Sequence, residues 1–130
     1  ADPNQLSHAI RHSRSLLRRF QAHWLYRDMS AADRRLHEVP YNYVAEGKVE
    51  SGIIDALYLK DGVWTIVEFK TDQVNNRAAL VPLMAENSYL DQAERYLRAA
   101  HKLLAKPSRC VLCFLNVAGS VHLHYLEPRP

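Results

Sequence analysis

The sequence predicts an α/β (α+β) fold with a mixed five-stranded sheet flanked by helices. Three observations carry this. Between Gly52 and Thr71, two runs of β-branched and aromatic residues flank Asp61-Gly62, the pattern of a hairpin closed by a two-residue type I′ turn. A long amphipathic stretch follows from about Ser88 to Leu104, with Leu90, Ala93, Leu97, Ala100 and Leu104 as its buried stripe. Two further strand-like runs, Arg109 to Asn116 and Ser120 to Glu127, come after Pro107 and join at Ala118-Gly119. A helix between the third and fourth strands makes a crossover, which implies a parallel pair and a right-handed connection.

Taken in order, Asn4 to about Tyr26 reads as a helix, with Ile10, Leu16, Leu17, Phe20, Trp24 and Leu25 near the 3.6-residue period. A short second helix is expected from Ser30 to Leu36, with Ser30 as its cap and Asp33 at the capping-box position. His37 to Ala45 reads as the first strand, placing Val39, Tyr41 and Tyr43 on one face and Glu38 and Asn42 on the other. Pro40 suits a strand beginning or an edge. Glu46-Gly47-Lys48 forms a turn, and Val49 to Leu59 and Val63 to Thr71 complete an antiparallel meander. Asn75 and Asn76 suggest a loop, and Pro82 a break or a first-turn residue. Ser88 with Asp91 resembles a capping box for the long helix, and Gln92 and Tyr96 flank its buried stripe. The tail from Glu127 to Pro130 is expected to fray.

The 130 residues suffice for a single domain with its own core. No run approaches the ~18 apolar residues of a membrane span, and the polar start has no signal-peptide apolar region. A chain starting at Ala1 reads as processed or as a piece of a longer protein, with Ala1-Asp2-Pro3 as a vector-derived remnant. The net charge is only +3, but Arg11, Arg14, Arg18, Arg19, Arg27, Arg34 and Arg35 crowd the first third. That crowding points to an anionic partner; a solvated helix face is the plainer reading. Cys110 and Cys113 are expected on opposite faces of one strand, as buried thiols in a reducing, cytoplasmic compartment and not as zinc ligands. His8 and His12 share a helix face without a third ligand nearby, and His122 and His124 read as surface residues of one strand face.

The two-residue turn lets the hairpin register be counted: Lys60 faces Val63, Leu59 faces Trp64, Leu57 faces Ile66, and Asp55 faces Glu68. Lys70 falls on the same face as Glu68. Facing carboxylates about 4.5–5.5 Å apart repel one another. A raised pKa on one of them would relieve this, and so would a divalent cation. The remaining reading is a structural Glu68–Lys70 ion pair with Asp55 solvated at a sheet edge.

These residues resemble the PD-(D/E)xK nuclease superfamily, in particular the RecB-type nuclease domain at the C-terminal end of the AddA and RecB helicase-nucleases. His37-Glu38-Val39-Pro40-Tyr41 is similar to that family's Glu-x-Pro-aromatic strand, and Gly52-Ile53-Ile54-Asp55 to its Gly-x-Ile-Asp. Glu68-Phe69-Lys70-Thr71-Asp72 is similar to its Asp-Tyr-Lys-Thr-Asp with Glu for Asp, and Gln92-x-x-x-Tyr96 to its Gln-x-x-x-Tyr helix. The likeness spans about Leu36 to Leu126.

The resemblance implies a restriction-endonuclease-like core over about residues 37–127, preceded by a helical segment over about 4–36, and a metal-dependent DNA nuclease. It implies Mg²⁺ or Mn²⁺ held by Asp55, Glu68 and the Phe69 carbonyl, with Glu38 as a further candidate. Lys70 would position the attacking water, while Gln92 and Tyr96 orient it or touch the DNA backbone, supported by Thr71 and Asp72. The partners implied are DNA and a helicase domain or helicase–nuclease complex, in recombination or repair and through exonuclease-type action. Two other readings stay open. One is a nuclease-fold module that binds DNA or scaffolds a complex without cleaving; the other is a free-standing restriction- or repair-type endonuclease. The family's upstream metal-binding histidine has no counterpart in His8, His12 or His23, and two strand cysteines cannot hold an iron–sulfur cluster.

Overall fold

A computed structural model of the chain describes residues 2–126; Ala1 and the tail 127–130, expected to fray, lie outside them. The elements are α1 (Pro3–Gln21), α2 (Trp24–Ser30), β1 (Arg34–Ala45), β2 (Lys48–Lys60), β3 (Val63–Lys70), a 3-10 turn (Arg77–Ala79), α3 (Leu80–Glu86), α4 (Tyr89–Leu104), β4 (Ser108–Val117) and β5 (Ser120–Leu126). They build a mixed α+β fold around one five-stranded sheet in the order β1-β2-β3-β4-β5. Only β3 and β4 run parallel, as the crossover requires. Asp61 and Gly62 have φ of 52° and 77°, so the central turn is the type I′ turn expected from sequence. Glu46-Gly47 and Ala118-Gly119 also take positive φ at both positions, which closes the other two hairpins.

Each face of the sheet carries its own core. On one face α3 and α4 bury Leu80, Met84, Ala93 and Leu97 against Leu57, Ile66, Leu112 and Phe114. On the other, α1 and α2 bury Leu16, Phe20, Leu25 and Met29 against Tyr58, Val67, Val111 and Leu115. Cys110 lies in the first core and Cys113 in the second, both fully buried and unbonded, as period-2 alternation required. Burial pushes both thiols up to about 12, which keeps them protonated. No helix among the described residues is long and apolar enough to cross a membrane.

Several local expectations give way to tertiary packing. The first helix does not run through to Tyr26. It ends at Gln21, and His23 takes an extended conformation and caps α2 by accepting the Leu25 N–H on Nδ1 at 3.1 Å. At about 100° per residue, Leu25 and Met29 would lie nearly opposite Phe20 on a straight helix. The break brings all three onto one core. Ser30 therefore ends α2 and caps nothing downstream, and Asp33 donates its N–H to the Leu59 carbonyl at 2.8 Å. The chain pairs with β2 from Arg34 onward, so the expected 30–36 helix is absent and strand β1 starts three residues early.

Ser88 does not cap α4 through its side chain. Only Asn87 and Ser88 separate α3 from α4, so Ser88 adopts φ 56° to turn the chain. Pro82 does occupy the first turn of α3, where its missing N–H costs no hydrogen bond. Asn76 caps the 3-10 turn through its Oδ1. Asp2 and Pro3, read as a remnant, form the cap and first residue of α1. Leu90, expected in the buried stripe of α4, is exposed, while His122 and His124 share a face but are half-buried.

Gly52 lies opposite Tyr41 in the β1–β2 ladder, and a Cβ there would meet the Tyr41 hydroxyl at 2.7 Å. The Tyr41 ring packs edge-on against Tyr96 at 5.9 Å, so it has little room to retreat. Gly52→Ala is expected to destabilise the protein by about 1–3 kcal/mol, read as a lowered urea midpoint, and the cost should shrink when Tyr41→Ala is added.

Candidate active site

The β2–β3 ladder follows the counted register from Lys60↔Val63 to Ala56↔Val67 and stops there. Beyond it, Asp55 uses its side chain where a ladder bond would be: Oδ2 accepts the Phe69 N–H at 2.9 Å. Strict alternation also fails here. Ile54 and Leu57, three residues apart, both enter the α4-side core, and across from this point Glu38 of β1 has φ 50°. The β1–β2 pairs either side, His37↔Ala56 and Val39↔Ile54, keep one register, so no residue is inserted. Backbone pairing between β2 and β3 thus ends at Asp55, with one of its carboxylate oxygens tied to the Phe69 N–H.

Glu68 is only 7% exposed. Its Oε1 lies 3.7 Å from Lys70 Nζ, an ion-pair contact too long for a hydrogen bond. Its Oε2 is buried with no hydrogen-bond partner. Burial, and then the neighbouring Asp55 charge, push the Glu68 carboxyl up to about 7 against the partial relief offered by Lys70. Lys70 Nζ donates to Gln92 Oε1 at 2.9 Å; Gln92 Nε2 donates to the Tyr96 hydroxyl at 3.0 Å, which donates to the Ile53 carbonyl at 3.1 Å. Burial, and then the Glu68 charge, raise the Tyr96 hydroxyl, so it stays a donor. The Tyr89 ring centroid lies 3.9 Å from Lys70 Nζ, and the Tyr89 hydroxyl donates to Asp72 Oδ2 at 2.9 Å.

The structure thus brings together Asp55, Glu68, Lys70, Gln92 and Tyr96. Asp72 joins through Tyr89, while Thr71 is exposed just beyond β3. Glu38 lines an open cleft of about 370 Å³ with His37, Asp55 and Phe69. Among the described residues, however, no three His, Cys, Asp or Glu side chains converge as a metal cluster. His8 and His12 stack on each other at 6.5 Å, His23 caps α2, and none of these three lines the cleft. Sequence reasoning missed His37 and Tyr89. Counting from a Glu46-Gly47 turn would have put Glu38 opposite Asp55 and His37 beside it. Tyr89 lies three residues before Gln92 and seven before Tyr96, on the same helix face. A larger groove of about 900 Å³ between the β1–β2 arm and α4 holds none of these side chains; Tyr43, Lys48, Leu97 and His101 are among its lining. Chemistry, not size, marks the smaller cleft.

The donor set suits a hard divalent cation. A buried carboxylate oxygen without a partner, beside a second carboxylate, is the arrangement Mg²⁺ or Mn²⁺ takes with oxygen ligands. Asp55, Glu68 and the Phe69 carbonyl are the groups that would hold it.

No protein-family model and no curated protein matches this chain. Among solved structures it is similar to SSO0001, at 14% identity and a TM-score of 0.46, over 82% of this chain and 48% of that one. The chain therefore spans about half the length of that structure, and a likeness of this extent carries no statement about activity.

Glu68 makes stability depend on pH. Its carboxyl titrates near 4.5 when unfolded and near 7 when folded, so between these values the native state holds the extra proton. The contribution is fully present below about pH 4.5 and declines as pH rises through about 7, by up to about 3 kcal/mol. Urea unfolding in EDTA at about pH 4.5 and about pH 8 should show this loss in the wild type and a smaller one in Glu68→Gln.

Proposed function

We propose that this chain is a divalent-cation-dependent deoxyribonuclease of the PD-(D/E)xK type, hydrolysing phosphodiester bonds of DNA. One observation carries the reading: the buried, unpartnered oxygen of Glu68, on a carboxyl that feels the Asp55 charge and whose other oxygen lies 3.7 Å from an ammonium held by Gln92. The Asp55 backbone N–H and Lys70 give the Glu68 carboxyl partial relief, Lys70 only at 3.7 Å, and one oxygen stays without a partner.

Each residue then has a task. Asp55, fixed by the Phe69 N–H, and Glu68, with its unpartnered oxygen, would hold the cation, with the Phe69 carbonyl as the third ligand. A divalent cation bound there supplies charge neutralisation and a more acidic bound water. Lys70, held at 2.9 Å by Gln92, places positive charge where a scissile phosphate gains negative charge and orients an attacking water. Tyr96 fixes the Gln92 amide, so the side-chain oxygen of Gln92 faces Lys70. A helicase partner, in the same parent chain or in a complex, belongs to the same proposal and rests on the resemblance alone.

The test uses linear and circular DNA, single- and double-stranded, with Mg²⁺, Mn²⁺ or EDTA. Cleavage is expected only with a cation, and Asp55→Ala, Glu68→Ala and Lys70→Ala should each slow it by about 10²–10³-fold. Cleavage by Lys70→Ala at the wild-type rate would refute the assignment. DNA binding without any cleavage would leave a non-catalytic module instead.

A further inference from the structure

We infer that Tyr89 is a positioning residue for Lys70, its ring holding the ammonium in place independently of Glu68. The hold is a matter of geometry; its effect on rate rests on the nuclease reading above.

An ammonium has three N–H donors and no acceptor. One is taken by Gln92 Oε1 at 2.9 Å. Glu68, at 3.7 Å, is the one carboxylate within ion-pair range of Lys70 among the described residues, and it makes no hydrogen bond to it. The Tyr89 ring also lies against the ammonium, its centroid at 3.9 Å, well inside the ~6 Å range of cation–π attraction. The Lys70 side chain is 11% exposed, so the attraction acts with little solvent screening.

Tyr89 is fixed well enough to serve. It is the first residue of α4, its ring packs against Phe114 at 6.2 Å, and its hydroxyl donates to Asp72. Gln92 and Tyr89 both belong to α4, whereas Glu68 shares strand β3 with Lys70. If Glu68 held a divalent cation, Lys70 would still keep both partners on α4. With the ring removed, a flexible four-carbon stem would be tethered by a single hydrogen bond. Asp72 then acts through Tyr89, to which it is hydrogen-bonded; among the described residues the ion pair of Lys70 is with Glu68.

Two measurements test this. With ¹³C-labelled lysine, the ε-methylene signals of Lys70 should be shifted upfield by the ring in wild type and in Tyr89→Phe, with and without Mg²⁺, and the shift should vanish in Tyr89→Leu. Its collapse when Mg²⁺ is added to wild type, or its persistence in Tyr89→Leu, would overturn the inference. In DNA cleavage, Tyr89→Leu should lose about 10²-fold in kcat with KM unchanged, as a misplaced catalytic group does, while Tyr89→Phe keeps most of the rate. Equal kcat in wild type and Tyr89→Leu would also overturn it. A wild-type protein that cleaves no DNA refutes the nuclease reading alone, because the spectra still decide whether Tyr89 holds Lys70.

Discussion

The buried carboxylate of Glu68 is the constraint on which the rest of the site depends. A charge at 7% exposure, beside a second carboxylate, is costly unless compensated. The fold compensates it only in part: Lys70 stands at 3.7 Å and one oxygen has no partner. Sheet geometry makes this possible. Had the β2–β3 ladder continued past Ala56↔Val67, the backbone of Asp55 would pair with that of Glu68; instead the Asp55 side chain accepts the Phe69 N–H. The ladder therefore ends where the candidate site begins.

The two-faced sheet explains why the site lies where it does. Helices on both sides bury β3 and β4 almost completely, and the charged side chains of these strands, Glu68, Lys70 and Arg109, stand toward their ends. Glu68 and Lys70 occupy the C-terminal end of β3, next to the parallel pairing with β4. Ligands gather at such ends of parallel strands because the backbone turns there and side chains converge from several elements. Here the other element is α4, which carries Tyr89, Gln92 and Tyr96 on one face and links them to Lys70 and to the Ile53 carbonyl. Polar chains of this kind cooperate, so each bond steadies the next.

Much of this was legible in the sequence, because short-range rules govern it. Asp61-Gly62 dictated a type I′ turn, and the turn dictated the register that sets Leu57 against Ile66. The three-residue separation of Cys110 and Cys113 dictated their opposite faces. The helix between the third and fourth strands dictated their parallel pairing. Asp55, Glu68, Lys70, Gln92 and Tyr96 could be gathered from those rules and the resemblance together.

Tertiary structure decided what local propensity could not. The break at Ala22-His23 follows from the need to place Phe20, Leu25 and Met29 on one core, a requirement no window of sequence contains. The 34–36 segment pairs with β2 because a strand with unpaired backbone groups lies beside it. Ser88 gave up its capping role to a two-residue link between helices. The local flip of faces at Asp55, the orphaned oxygen of Glu68 and the ring of Tyr89 over Lys70 all arise where strands and helix meet at atomic distance. Outside the flip at Asp55, sequence alone determined which groups share a strand face, since the strand period is intrinsic to the backbone. Which of them touch, and which is left without a partner, was decided by packing between elements far apart in the chain.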